Sequence, residues 1–358
     1  MTERVNSAKP GYMPQLDALR ALAVASVAYS HWVPSKLHFG LPWGPGGVQL
    51  FFVLSGFLIT GILLRCRDFD APAHAMKAFY ARRFLRIFPL FYVVVFFAFV
   101  FAIESMRESV WWHVAYLSNL YFVVSGGWDG RISHFWSLAV EEQFYLLWPA
   151  VVLLVPFRYL KGSAITLCVI GIFSRFILPS LLPDVALLSV LPNSNFDALG
   201  LGAIIAMRSR DMIHFPVEKS VILAVPLYMA FVFGRAIDFE IPFHRALERT
   251  MLLLIFMWLI EASAIGFGGM VGRILENRVL LYLGRISYGL YILHNFAQLV
   301  VPPLDSLAWL GGFAEVIRVV LMALLTVSVA TCSWYVMESP LNSLKRLFPY
   351  RPQTLATA

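Results

Sequence analysis

Apolar runs recur along the whole of this chain, about ten of them near the roughly 17–25 residues that a membrane-crossing helix needs. They are Leu16–Val33, Val48–Leu64, Phe88–Ile103, His134–Val155, Ser163–Pro179, Phe196–Met207, Ser220–Gly234, Met251–Phe267, Leu280–Val301 and Phe313–Met337. Phe196–Met207 is short as drawn, and its expected boundary extends into the preceding loop. No segment between them is long enough to fold alone. The 358 residues therefore read as one domain, 1–358, an all-α polytopic membrane bundle with tails at 1–15 and 338–358. A hydrophobic fraction of 59%, a charged fraction of 14% and a mean hydropathy of +0.74 exclude an ordinary soluble domain.

The formal net charge of +7 raises nucleic acid as a partner, but no nucleic-acid motif is present and membrane topology accounts for the charge. Basic residues follow every second segment: Arg65 to Arg86, Arg158 and Lys161, Arg208 to Lys219, Arg273 and Arg278, Lys345 to Arg351. With Arg4 and Lys9, about eighteen fall on one side against about five (Lys36, Arg107, Arg131, Arg245, Arg249) on the other. Both termini are then expected in the cytoplasm. Val110–Val124 would invert every later loop if it crossed the membrane. Its Trp111, Trp112, Tyr116 and Tyr121 suit the headgroup layer, so an interfacial or re-entrant element is expected. The N-terminus suits a retained signal anchor better than a cleaved leader. Cys66, Cys168 and Cys332 are far apart and the histidines scattered, so no metal site is expected.

Arg20 and His31 both lie in the first apolar segment. Eleven residues at about 100° each return a helix to nearly the same face, about 16 Å further along its axis. Ionisable groups at such depth cost roughly 2.5 kcal/mol or more for arginine and usually line a protein-walled path. The plain alternative is that Arg20 only pairs with Asp17 while His31 reaches the far interface. The pair on one face favours function.

Four further constellations stand out. In GGVQLFFVLSGFLIT, Gly47, Ser55 and Gly56 permit close helix approach, with packing the expected role of Ser55 and Gly56. FYARRFLRIFP sets Arg82, Arg83 and Arg86 at helical spacing, a cluster able to clamp phosphates, although by itself it reads first as a cytoplasmic-loop cluster that contacts anionic lipid. HFWSLAVEEQFYLLWP places Glu141 and Glu142 well inside an apolar helix, where an ion pair and an acceptor-binding carboxylate are comparable readings. LGRISYGLYILHN aligns Ser287, Tyr291 and His294 on one face, with His294 expected to be more structural than His31.

In this order, LDALRALAVASVAYSH, GVQLFFVLSGFLIT, ARRFLRIFP, FWSLAVEEQFYLLWP and ISYGLYILH resemble the acyltransferase family 3 of integral membrane acyltransferases. The resemblance runs from the first apolar segment to the ninth. It implies about ten spans, a cytoplasmic acyl-CoA donor and transfer to a hydroxyl of an extracytoplasmic or lipid-linked sugar in the bacterial cell envelope. It also implies that Arg20 and His31 are essential and that the loop arginines matter. Some relatives carry a C-terminal soluble esterase-like domain, which is not expected here.

The expected mechanism has Arg82, Arg83 and Arg86 hold the phosphates of acetyl-CoA, a co-substrate rather than a resident cofactor. His31 takes the proton of an acceptor hydroxyl, with Trp136, Glu142 and the Trp111–Arg131 loop along the acceptor route. A covalent acyl-histidine is the second version. A glycan or lipid transporter also suits intramembrane charges, but no repeated halves are visible. A non-catalytic assembly protein is the third reading. O-antigen, exopolysaccharide, peptidoglycan and small glycosides all fit as acceptors, and nothing in the sequence points to an oligomeric state.

Overall fold

The computed structural model describes residues 12–351 apart from 70, 240, 304–305, 308–310 and 312, so Arg4 and Lys9 lie outside the described residues. Among the described residues every regular element is helical. Six helices are long and apolar enough to cross a membrane. These are α2 (Trp43–Arg67), α3 (Pro72–Val100), α6 (Phe135–Leu154), α7 (Phe157–Leu181), α9 (Val217–Ala236) and α15 (Ala314–Ser333), which continues to Leu347. A seventh arises if α10 (His244–Ile265) and α11 (Gly269–Leu275), bent by 90°, form one span. The chain is thus a multi-pass membrane protein.

The remaining apolar segments are helical too, but shorter or broken. α1 (Pro14–Trp32) has the length of a span at 19 residues, while Asp17, Arg20, Ser26, Ser30 and His31 interrupt its apolar surface. α8 (Phe196–Arg208) does not extend backward as expected. Two tight 3₁₀ turns precede it, held by Asn195 Nδ2 donating to the carbonyls of Ser189 and Leu191 at 2.9 Å each. The ninth segment divides into α12 (Arg278–Arg285), α13 (Ser287–Leu293), a 3₁₀ turn at His294–Phe296 and α14 (Ala297–Val300). Val110–Val124 folds as α4 (Met106–Val114) and α5 (Ser118–Ser125), nine and eight residues long, each too short to span. Between them the chain reverses through Tyr116 at φ 54°. A final short helix, α16 (Ser339–Ser343), follows α15.

α2 lies at the centre, with 72% of its apolar window buried against 17% for α7 and for α15. It packs on α1, α6, α8 and α10. Glycine makes the α2–α8 contact possible, because a Cβ at Gly56 would overlap the Leu199 carbonyl and one at Gly202 would overlap that of Val53. The outer helices present Phe173, Leu223, Phe233 and Leu324 outward, as a lipid-facing surface requires. α1 packs against α2, α10, α12 and α13, and its Asp17, Arg20 and His31 line cavities walled by protein. Its Gln15 also repairs the break between α10 and α11. The side chain accepts from Phe267 N at 2.8 Å and donates to Phe267 O at 3.0 Å, satisfying the backbone where the helix stops.

α3 begins sixteen residues before the apolar segment read from sequence, at Pro72 rather than Phe88. Arg82, Arg83 and Arg86 therefore stand on the same rigid helix as the span. Proline at the first position suits a helix start, since the missing N–H would have lacked a helical partner.

Candidate active site

His31, near the end of α1, borders a cavity of about 430 Å³ together with Trp136, His134, Gln49, Arg249 and Tyr291. Its Nδ1 lies 3.0 Å from Nε2 of His294. His294 is fully buried, and its Nδ1 is 2.6 Å from the carbonyl of Tyr291. A carbonyl only accepts, so His294 carries its proton on Nδ1 and offers the Nε2 lone pair. The facing nitrogen, Nδ1 of His31, must then donate, which leaves Nε2 of His31 as the free base. The broken ninth segment makes this arrangement possible. Where α13 gives way to the 3₁₀ turn at His294, the carbonyls of Tyr291 and Ile292 are available to ring donors.

The buried His134 is fixed by similar reasoning. Its Nε2 donates to Ile292 O at 3.1 Å, and its Nδ1 accepts from Asn295 Nδ2 at 3.2 Å. Both nitrogens are engaged, so it supports the turn that carries His294. The hydroxyls of Ser137 and Tyr291 meet each other beside it, and each lies within reach of the His134 carbonyl, at 3.1 and 3.2 Å. Trp32 Nε1 closes the group by donating to His294 O at 3.0 Å. Among the described residues no trio of His, Cys, Asp or Glu is arranged to hold a metal ion.

At the other end of α1, a cavity of about 990 Å³ is bordered by Arg20, Arg82, Arg83, Arg86, Arg285 and Lys345 against one carboxylate, Asp17. Arg20 Nη1 pairs with Asp17 Oδ1 at 2.5 Å, as the plain alternative expects, yet Arg20 still faces the cavity. Tyr12 donates to Asp17 Oδ2 at 2.8 Å. Partial burial, and then the hydrogen bond to that carboxylate, push the Tyr12 phenol up to about 12, so it remains a donor.

The three clustered arginines divide their duties. Arg82 is committed to the chain's C-terminal part, donating to Lys345 O at 2.9 Å and Phe348 O at 3.1 Å with Tyr350 under its guanidinium. Arg86 reaches Arg285 O at 3.3 Å and stands over Trp334. Arg83 lies over the rings of Phe79 and Tyr145, which leaves its donors toward the cavities.

A narrow cavity of about 120 Å³ lies between these two ends. It shares Arg20, Arg83 and Arg86 with the basic cavity and Val48 and Tyr291 with the His31 cavity, so the three adjoin one another in that order. Glu141, Glu142 and Ser287 line it. Ser55, expected only to pack, donates to Glu141 Oε1 at 2.6 Å and accepts from Tyr145 at 2.9 Å. An apolar groove of about 530 Å³ opens sideways from it, sharing Arg83, Glu142 and Tyr145.

The structure therefore brings most of the residues singled out in the sequence to one passage. His31, Trp136 and Tyr291 meet at one end, Glu141, Glu142 and Ser287 in the middle, and Arg20 and the arginine cluster at the other. His294, expected to be more structural than His31, contacts His31 directly. Of the Trp111–Arg131 loop, only Trp128 and Gly130 border the His31 cavity, while Trp111 points outward and Arg131 pairs with Glu104 at 2.7 Å. His134, Ser137, Asn295 and Gln49 escaped the sequence reading. Each sits at a helix end or among apolar residues, where nothing but its polarity marks it.

This architecture defines an integral membrane protein in which a row of adjoining cavities extends from a cationic chamber to a histidine. The chain belongs to the acyltransferase family 3: the model of that acyltransferase domain matches residues 13–338. Among curated relatives, it is 27% identical over 375 residues to the peptidoglycan O-acetyltransferase OatA of Listeria monocytogenes, covering 92% of this chain and 56% of that protein. It is 27% identical over 369 residues to the putative peptidoglycan O-acetyltransferase YrhL of Bacillus subtilis, covering 93% and 55%. With the O-acetyltransferase OatA of Staphylococcus aureus the identity is 26% over 368 residues, covering 93% and 58%. The chain thus spans little more than half the length of these relatives. No solved structure matches it.

Proposed function

We propose that this protein is a membrane O-acetyltransferase that takes an acetyl group from acetyl-CoA at the basic chamber and passes it to a sugar hydroxyl in the His31 cavity. The serial arrangement of the three cavities carries this reading. The nucleotide phosphates sit among Arg83, Arg86 and Arg285, where guanidinium forks make charge-assisted bonds to phosphate oxygens. The thioester arm lies in the narrow middle cavity and delivers its carbonyl toward His31.

Nε2 of His31 takes the proton of the acceptor hydroxyl as that oxygen attacks the thioester carbon. The C–S bond breaks, the imidazolium returns the proton to the leaving thiolate, and an acetyl ester and free CoA result. Arg20 holds the donor, with Asp17 fixing its guanidinium. Peptidoglycan, the acceptor in the relatives' names, is the first acceptor to test.

The topology that suits this reading has ten crossings, with α1, α8, α10 and the broken α12–α14 unit added to the six long helices. Both termini and the basic chamber then face the cytoplasm of a bacterial inner membrane, following the arginine and lysine bias. In a variant without native cysteines, Lys36→Cys should react with an impermeant thiol reagent from outside and Arg346→Cys should not. The purified chain in nanodiscs, given acetyl-CoA and peptidoglycan fragments, should release CoA and acetylate the glycan, read by mass spectrometry. Absence of CoA release overturns the enzyme reading and favours a transporter. Reversed labelling overturns the assignment of sides.

A further inference from the structure

Two guanidiniums share one carboxylate beside the His31 cavity. Asp197 is 2% exposed and directly contacts Arg175 of α7, while Arg249 of α10 stands 3.6 Å away from it. Arg175 is itself buried and lines none of the three cavities, so it takes the carboxylate as its counter-charge. Arg249 is held mainly by neutral acceptors, the Ser194 carbonyl and Asn195 Oδ1, each at 2.9 Å. Arg249 borders the His31 cavity, and among the described residues no aspartate or glutamate lines that cavity. Beside it, Gln49 is buried, donates to Asn195 Oδ1 at 3.3 Å and leaves its Oε1 unpartnered.

A guanidinium with a shared counter-ion is costly at membrane depth. Tying α10 to α8 would need only a neutral hydrogen-bonding side chain. An anion entering the cavity would restore neutrality, and since Nη2 already serves Ser194 and Asn195 and Nε is buried, its charge-assisted contact falls to Nη1. We infer that Arg249 recognises a carboxylate or phosphate group on the acceptor, so that the His31 cavity selects acidic sugars, with Gln49 Oε1 accepting from a sugar hydroxyl. This rests on the reading that the His31 cavity holds the acceptor.

The test uses the full chain in nanodiscs and three probes: p-nitrophenyl glucuronide, p-nitrophenyl glucoside phosphorylated at its primary hydroxyl, and neutral p-nitrophenyl glucoside. Calorimetry should show at least one anionic probe binding about tenfold or more tighter than the neutral one, as a charge-assisted contact provides. The two anionic arms separate carboxylate from phosphate. Arg249→Gln should abolish the preference, and Arg249→Lys, which keeps the charge but loses the Nη2 bonds that position it, should retain part of it. Gln49→Leu should weaken all three probes together and leave their ratio intact. Equal binding of charged and neutral probes to the unaltered chain overturns the inference, as does a preference that survives Arg249→Gln. If Arg249→Gln does not fold, an unchanged ratio in Arg249→Lys overturns it and a reduced ratio supports it. CoA release from acetyl-CoA in the same preparation keeps the two questions apart. Its presence without a charge preference defeats only this inference, and its absence defeats the enzyme reading beneath it.

Discussion

Removing the His294 imidazole should slow acetyl transfer without weakening acetyl-CoA binding. His294 touches His31 at 3.0 Å and lines none of the three cavities, so a bound donor does not contact it. Its Nε2 accepts the Nδ1 proton of His31, which keeps the His31 lone pair on Nε2 toward the cavity. In the resting enzyme that is a neutral hydrogen bond of about 0.5–1.5 kcal/mol, but once His31 has taken a proton it becomes charge-assisted, about 1.5–3 kcal/mol. The difference, of order 1–2 kcal/mol, corresponds to roughly 5- to 30-fold in rate, and loss of the ordered tautomer adds to it. His294→Ala should therefore lower kcat by about 10- to 100-fold. His31→Ala should lower it by about 10²–10⁴-fold, the usual range for a general base.

The double variant gives the sharper readout. If His294 acts only through His31, then His31→Ala with His294→Ala is no slower than His31→Ala alone. His294→Gln offers an amide oxygen to His31 and should recover part of the loss, whereas His31→Gln has no basic nitrogen and should be nearly as slow as alanine. Steady-state CoA release in nanodiscs, with kcat and KM for acetyl-CoA separated, measures all of this. Unchanged kcat in His294→Ala, or additive losses in the double variant, would refute the reasoning. Substantial activity in His31→Gln would remove His31 as the base.

Arg83→Gln and Arg86→Gln should each raise KM for acetyl-CoA by about tenfold or more with the fold intact, while Arg82→Gln should chiefly release residues 345–350 to limited proteolysis, since its bonds go to the Lys345 and Phe348 carbonyls. An unchanged KM in both of the first two would confine the cluster to topology or lipid contact. The buried His113, on the short α4, has its imidazole pushed down to about 4 by burial. The unfolded chain then binds the extra proton between about 6.5 and 4, so the stability due to neutral His113 is full above 6.5 and lost as pH falls through 4, about 3 kcal/mol in all. His113→Phe should flatten this part of the acid dependence of the unfolding midpoint, and an unaltered profile would show that other groups set it.

Much of this fold is legible in the residues because lipid imposes a simple requirement. A helix that satisfies its own backbone and presents apolar side chains announces itself by length and hydropathy, and α2, α3, α6, α7, α9 and α15 all do so. The helices that build the site obey a different rule. α1 packs against four helices and turns Asp17, Arg20 and His31 into cavities, while the ninth segment breaks so that its carbonyls meet histidine rings. Periodicity placed Arg20 with His31, and Ser287 with Tyr291 and His294, on common faces. It had no means of showing that the second face turns toward the first, because that contact joins residues 263 positions apart. Ser55 shows the same limit. Beside Gly56 it reads as a packing residue, and only α6 crossing next to it supplies the Glu141 carboxylate it meets.

The unequal cavities also bear on how such a site can work across a membrane. A chamber of about 990 Å³ is at the upper end of the roughly 300–1,000 Å³ typical of sites for drug-sized ligands, so it has room for a nucleotide. The middle cavity, at about 120 Å³, does not, and admits only a thin chain such as a thioester arm. Arg83 and Arg86 line both cavities, so on the proposed reading they would hold the donor's phosphates on one side and leave the middle cavity to its uncharged arm on the other. The donor's bulk and charge would then close the wide end while its reactive carbon is inside. Such a fit would exclude water from the middle cavity during transfer, and the bundle would pass an acetyl group without opening a continuous aqueous path.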